Sequence, residues 1–436
     1  MKFRMDKLLF GLSAGLDAVE REILGVTENH GKRIASLTAA MGRHIGLSKN
    51  ELIGITACAM LHDSALSEYA ASMRLSGKEG AQSMRLHCSK GEENASFLPF
   101  TCDVRGFIKY HHEFTDTSGA FGMNAEETPI GAQFITIADD LDVRYDLSAM
   151  PKDAIGELRS VIQRKSGIYY TRAAAEAMLG ILDGDFLACL SDARIDATFH
   201  EMMPEWTVNK PAVELMSLSQ IVARITDYKS AFTAKHSTQI ANRAHWMANR
   251  YGFDAETCAK VYIAAAFHDI GKLVTPTEIL EKPGKLTSDE FTTIKGHVYW
   301  SYIMLKDVEG FDEICRWAVT HHRKLDGKGY PELPDHYLEL DFICRLMACI
   351  DIYQAVRETR PYHDGRTHRE TMDVMYTMVD KGEIDKQITG DIDKEMAQFD
   401  IGDGDVPPPF DSENLDQGAK NIFFSYPSHN EDNKPA

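Results

Sequence analysis

The chain has 436 residues, 44% of them hydrophobic and 26% charged, with a net charge of −19; this length exceeds what one hydrophobic core usually organises, so two or three domains are expected. The acidic balance argues against a long nucleic acid as partner, because a polyphosphate backbone needs a continuous basic surface, but it leaves room for a small anion held by metals and a few local cations. No uninterrupted apolar stretch marks a signal peptide or membrane span, and the eight cysteines show no CxxC or zinc-ribbon spacing; a cytoplasmic protein with reduced thiols and no membrane partner is expected.

Along the chain, apolar residues recur at three and four spacing in segments such as Asp6 to Leu24 and Lys260 to His268, and few segments alternate like strands. The expected fold class is all-α. The first half carries His30, His62-Asp63, His87, His111-His112 and Asp139. Thr198 to Pro211, punctuated by Pro204, Trp206 and Pro211, reads as a short ordered connection. The second half then repeats the set as His236, His268-Asp269, His297, His321-His322 and Asp351. His30 and His62 are separated by as many residues as His236 and His268, and His87 and His111 by as many as His297 and His321. The remaining intervals differ by a few residues, as indels in loops would produce. Two adjacent His-Asp and His-His pairs at matched spacing indicate an internal duplication. The expected organisation is a first repeat at 1–195, a linker at 196–211, a second repeat at 212–395 and an acidic, polar tail at 396–436, with the leading helix 6–24 corresponding to 212–230. In the tail, Ile422-Phe423-Phe424 is the segment able to dock.

The chemistry of the second set follows from its residue types. Neighbours such as His268 and Asp269 sit about 100° apart on a helix, so both can address one cavity at the helix end. A carboxylate there can bridge two cations. His321 and His322 do the same with imidazoles, and His236, His297 and Asp351 complete the shell from other helices. Seven nitrogen and oxygen donors without a thiolate suit two first-row metals such as iron or manganese better than a closed structural zinc. Such a pair, about 4 Å apart, activates a water and holds the phosphoryl oxygen of an in-line displacement, which points to phosphodiester hydrolysis. Lys272, one turn beyond His268, can bring positive charge to the same phosphate. The stretch from Asp326 to Pro331 is a glycine-rich loop whose backbone can pass close to a ligand. Cysteine nucleophile chemistry competes poorly: Cys58 and Cys88 lie near His62 and His87 but have no counterparts in the second set, and no P-loop occurs. Any one of these histidines alone reads as a core residue. The cluster decides.

His268-Asp269-Ile270-Gly271-Lys272, His321-His322 and Gly329-Tyr330-Pro331 together resemble the HD-GYP branch of the HD phosphohydrolases. The likeness continues through Pro276-Thr277-Glu278-Ile279-Leu280, Lys282-Pro283-Gly284-Lys285-Leu286-Thr287 and Arg360-Pro361-Tyr362. It implies an iron- or manganese-dependent hydrolase of cyclic dinucleotides, with His236, His268, Asp269, His297, His321, His322 and Asp351 as metal ligands. It also implies Asp269 and Lys272 in catalysis, and Lys272, Tyr330 and Arg360 in contact with substrate. Cyclic di-GMP is the family's default substrate. A degenerate HD repeat in tandem with an intact one also resembles phosphodiesterases of 3'3'-cyclic GMP-AMP, which places the hybrid ring slightly ahead.

Three departures stand out. Phe232 occupies the place of a glutamate that recruits a third metal in some members, Arg323 replaces the usual glutamate after the paired histidines, and His363 stands where a further cation is common. The first repeat keeps all seven presumptive ligands and Glu113, but has Ser64-Ala65-Leu66 in place of Ile270-Gly271-Lys272 and Gly119-Ala120-Phe121 in place of Gly329-Tyr330-Pro331. It is expected to be a non-catalytic scaffold or regulatory partner, with a bound but inactive metal site or a second working site as the alternatives for this repeat. The alternatives are a regulatory protein that binds metal or cyclic dinucleotide without turnover, and an HD hydrolase of plain nucleotides. A homodimer or a signalling-protein partner is compatible with the sequence, although the tandem repeat can itself replace a dimer interface.

Overall fold

The computed structural model describes residues 1–70, 81–230, 236–337, 339–358 and 365–399. Phe232, Arg360, His363 and residues 400–436 of the expected tail lie outside the described residues. The fold is mostly helical, as expected. Helices Met5–Leu24, His30–His44, Lys49–Met60, Ala81–Ala95 and Ile130–Tyr145 build the first ligand set. Four shorter helices, Ile155–Lys165, Arg172–Ile181, Gly184–Cys189 and Ile195–Met202, follow. The second set is carried by Leu218–Asp227, His236–Arg250, Ala255–Phe267, Ser288–Leu305, Asp312–Val319 and Phe342–Arg357, with His368–Asp380 and Lys386–Met396 packed behind.

Local signals account for the helices that matter most to the site. Lys49–Met60 begins at a Ser48/Glu51 capping box, and its second-repeat counterpart, Ala255–Phe267, begins at Asp254, whose carboxylate accepts from the Thr257 amide. Each satisfies backbone donors that the first turn would otherwise leave open. Ala255–Phe267 is buried without interruption from Val261 to Phe267, as befits a helix apolar on every face. It ends at His268, so the His-Asp pair emerges from the middle of the core rather than from its edge. Ser288–Leu305 starts with a Thr287/Glu290 capping box and carries His297 on its buried face.

The connection between the repeats carries regular structure of its own. Helix Ile195–Met202 runs into it, and Thr207–Asn209 forms a strand paired antiparallel with Lys2–Arg4, with Phe3 opposite Val208. Three residues are too few for a readable alternation. The leading segments also differ: Met5–Leu24 is one continuous helix, whereas its counterpart is a turn at Ala212–Leu215 followed by Leu218–Asp227.

The Met5–Leu24 helix packs on both repeats. Met5, Leu8, Leu9 and Leu12 line a small apolar cavity together with Leu61 and Leu98 of the first repeat and Leu218, Ile221, Val222 and Phe267 of the second, all of them buried. Burial of each such side chain contributes about 1.5–3 kcal/mol. Polar ties reinforce the junction: the Met1 ammonium lies 2.9 Å from Glu256, Lys229 pairs with Glu22 at 2.6 Å, and Arg224 pairs with Glu93 at 2.7 Å. Gly11 is indispensable, because a Cβ there would fall 1.9 Å from the Met304 carbonyl oxygen. Gly11→Ala is expected to cost about 1–3 kcal/mol, as overpacking does. Urea denaturation of the full chain, read by circular dichroism, checks this through a lowered midpoint.

Candidate active site

The second-repeat residues converge on one buried centre. His236 opens its helix, His268 and Asp269 follow the end of Ala255–Phe267, and His297 lies within Ser288–Leu305. His321 and His322 follow the end of Asp312–Val319, and Asp351 lies within Phe342–Arg357. Their donor atoms form three overlapping groups: His236, His268 and Asp351; His268, Asp269 and His321; and His297, His321 and His322, with the atoms of each group within 4.8 Å of one another. Asp269 sits between the outer two. Its Oδ2 lies 3.3 Å from His236 Nε2 and 3.1 Å from His268 Nε2, while its Oδ1 lies 3.2 Å from His297 Nε2. Asp351 approaches His268 Nε2 at 3.8 Å and His322 Nδ1 at 3.6 Å.

The protonation pattern favours cation binding. The Nδ1 atoms of His268, His297 and His321 lie 2.6, 2.7 and 2.6 Å from the carbonyl oxygens of Ala265, Ile294 and Ala318. A carbonyl only accepts, so each Nδ1 carries the proton, and in the neutral ring each Nε2 presents a lone pair. Those Nε2 atoms, with that of His236, are buried and lack any hydrogen-bond partner. Lone pairs and carboxylate oxygens thus face the same small space, an arrangement that is repulsive until a cation fills it. Burial and the neighbouring imidazoles hold His321 well below the usual histidine range and His322 at about 4, so both are neutral at pH 7, as ligands must be. Burial pushes the Asp269 carboxyl up, but the positive charge around it, the Lys272 ammonium included, outweighs burial and keeps the group ionised.

Lys272 lies in a tight 3-10 turn, Ile270–Val274, and its ammonium bonds back to Asp269 Oδ2. Gly271 permits that turn, since a Cβ there would stand 1.9 Å from the His297 carbonyl oxygen, and Ser301 Oγ ties the junction by accepting from the Gly271 amide and donating to the His268 carbonyl. The Tyr330 ring stands 4.7 Å from that of His322. Burial raises its phenol, helped by Asp351 and Asp269, so the hydroxyl remains a donor. Gly329, at φ 100°, packs its backbone against the His322 carbonyl, where a Cβ would come within 2.2 Å. The glycine of this loop therefore serves the loop's own seat on the histidine pair.

Arg323 also gains an explanation. Its guanidinium donates to the Pro331 carbonyl at 3.1 Å, pinning the loop. In the first repeat, Glu113 pins the equivalent loop by accepting from the Phe121 and Met123 amides, both at 2.6 Å. The charge reversal accompanies a reversal of hydrogen-bond polarity. Glu358 was not singled out from the sequence, yet it lies 2.8 Å from His236 Nδ1 and orients that imidazole. Its counterpart in role is Asp142, 2.7 Å from His30 Nδ1. Glu358 stands just past the end of the Asp351 helix, whereas Asp142 lies within the Asp139 helix, so the repeated spacing does not reveal the pair. Glu358→Gln is expected to weaken metal affinity about 10–100-fold, the usual cost of losing a carboxylate behind a ligand histidine. Metal titration of the full chain checks this.

The first repeat gathers its own set. His30 Nε2 lies 3.2 Å from Asp139, His87 Nε2 3.1 Å from Asp63, and His62 Nε2 3.9 Å from Asp139. Leu66 occupies the place of Lys272, and among the described residues no lysine or arginine pairs with Asp63.

Comparison with known proteins accords with this duplicated geometry. Family models described as HD domain match residues 220–388 and residues 27–144. The chain belongs to the HD-domain family. This tandem HD-domain chain is 29% identical to 3'3'-cGAMP-specific phosphodiesterase 1 of Vibrio cholerae over 89% of its own length and 91% of that protein. It is 31% identical to the cyclic di-GMP phosphodiesterase response regulator RpfG of Xanthomonas campestris, over 37% of its length and 43% of that protein. A crystal structure of the cyclic GMP-AMP specific phosphodiesterase V-cGAP3 of V. cholerae shares the fold at a TM-score of 0.62 and 21% identity, covering 89% of this chain and 97% of that one. Among the described residues of this HD-domain chain, no helix is long and apolar enough to cross a membrane.

Proposed function

We propose that the second repeat hydrolyses a 3',5'-phosphodiester bond of a cyclic dinucleotide, with 3'3'-cyclic GMP-AMP ahead of cyclic di-GMP. The observation that carries the reading is the Asp269 carboxylate set between two groups of buried imidazole Nε2 atoms. His236, His268, Asp269 and Asp351 would hold one divalent cation, and Asp269, His297, His321 and His322 a second. Iron or manganese so bound would supply an activated water and charge stabilisation at the phosphoryl group. The chain's own residues do the rest. Lys272, beside Asp269, carries the positive charge that meets a non-bridging phosphate oxygen as negative charge develops. The Tyr330 hydroxyl donates to the substrate from the rim formed with His322. Glu358 and the backbone carbonyls behind the histidines keep the imidazoles oriented, so little reorganisation accompanies the reaction. Arg360 is proposed as a further substrate contact.

The full-length likeness to a 3'3'-cGAMP-specific enzyme supports the order of substrates. The test is anaerobic incubation of the full chain, loaded with ferrous iron or manganese, with each ring separately, and product separation by chromatography. The expected result is a higher kcat/KM for 3'3'-cyclic GMP-AMP. A higher value for cyclic di-GMP would reverse the order, and binding of both rings without product would replace the enzyme with a receptor.

A further inference from the structure

The two repeats differ at one place that the loss of Lys272 and Tyr330 does not touch. In the first repeat, donor atoms of His87, Cys88, His111 and His112 all lie within 4.8 Å of one another, and the first three residues are buried. The matching trio in the second repeat is His297, His321 and His322, and Val298 stands where Cys88 does. A thiol has therefore joined the three imidazoles.

The imidazoles are arranged to use it. His111 Nδ1 donates to the Ile108 carbonyl, so its Nε2 presents a lone pair, and that atom is buried without a partner. His297 Nδ1 is committed to the Ile294 carbonyl, whereas His87 Nδ1 is buried and unpartnered, with Nε2 facing Asp63. A buried ring nitrogen without a hydrogen bond is costly unless a ligand occupies the space between the donors. The charge nearby points the same way: Asp63 Oδ1 lies 3.1 Å from His87 Nε2 and 3.9 Å from His111 Nε2, with Leu66 where a lysine would otherwise neutralise it.

We infer that the first repeat holds a zinc-class ion on His87, Cys88, His111 and His112, a structural site chemically distinct from the all-nitrogen-and-oxygen centre of the second repeat. Four protein donors including a thiolate close a tetrahedral shell, which is the pattern of structural zinc; a catalytic site keeps a position open. A thiolate also selects softer ions than the second set does. On binding, the Cys88 Sγ–H bond breaks, the proton leaves to solvent and an Sγ–metal bond forms, with no change of oxidation state. The site fastens the helix Ala81–Ala95, which carries His87 and Cys88, to the loop of His111 and His112.

The experiment uses the full chain stripped of metal and titrated with cobalt(II), alongside zinc-loaded protein for X-ray absorption. The expected results are a thiolate-to-cobalt charge-transfer band, and a sulfur scatterer at about 2.3 Å from zinc. Cys88→Val, which installs the residue of the second repeat, is expected to abolish the band and lower bound zinc by about one ion per chain, whereas Cys58→Ala changes neither. Absence of any thiolate band and sulfur scatterer in the unaltered chain, or a band that persists in Cys88→Val, would overturn the inference. The unaltered chain alone suffices if the variant fails to fold, and neither readout depends on turnover by the second repeat.

Discussion

Asp269→Asn is expected to lower turnover about 10³-fold or more, equivalent to several kcal/mol of lost transition-state stabilisation. Asparagine keeps the shape of the side chain but removes the charge that faces His236, His268 and Lys272 on one oxygen and His297 on the other. Because that carboxylate is buried at the meeting point of both ligand groups, its loss should weaken both cation positions together. Initial rates and metal content measured on the same sample check this. A variant that keeps more than a tenth of the rate would remove Asp269 from the centre of the account.

Lys272→Ala is expected to lower kcat about 10²–10³-fold, the scale on which loss of one electrostatic donor to a developing oxyanion acts. The lysine's partner in the structure is Asp269 itself, so two roles must be separated. If Lys272 serves chiefly to hold Asp269, the variant loses metal as well as rate. If it meets the phosphate, metal content and KM change little while kcat falls. The second pattern is the expected one. Equal loss of metal and activity would make Lys272 a positioning residue.

Much of the centre was legible in the sequence because the ligands come as adjacent pairs at repeated spacing. His268-Asp269 and His321-His322 emerge just beyond helix ends, and periodicity locates those ends well. The partners behind the ligands were not legible. Glu358 reaches His236 across more than a hundred residues of chain, and nothing local marks the encounter. Arg323 looked like a charge reversal beside the site, but only its contact with the Pro331 carbonyl reveals a loop fastener that replaces Glu113. Cys88 was set aside for lacking a counterpart, and that very asymmetry is what the packing of His87, His111 and His112 makes informative. The strand pair Lys2–Arg4 with Thr207–Asn209 was too short to show a period. The double role of the Met5–Leu24 helix depends on Gly11 and Gly15 lying against Met304 and Leu273, a tertiary match that helical spacing alone does not encode.

The central claim is that the second repeat delivers water to the phosphorus of a cyclic dinucleotide. Hydrolysis of 3'3'-cyclic GMP-AMP by the manganese-loaded chain in ¹⁸O-labelled water, with mass analysis of the product, tests it most directly. One labelled oxygen in the new terminal phosphate is expected for each bond cut, and no labelled product with Asp269→Asn. Unchanged ring after prolonged incubation, or product formed equally by Asp269→Asn, would contradict it.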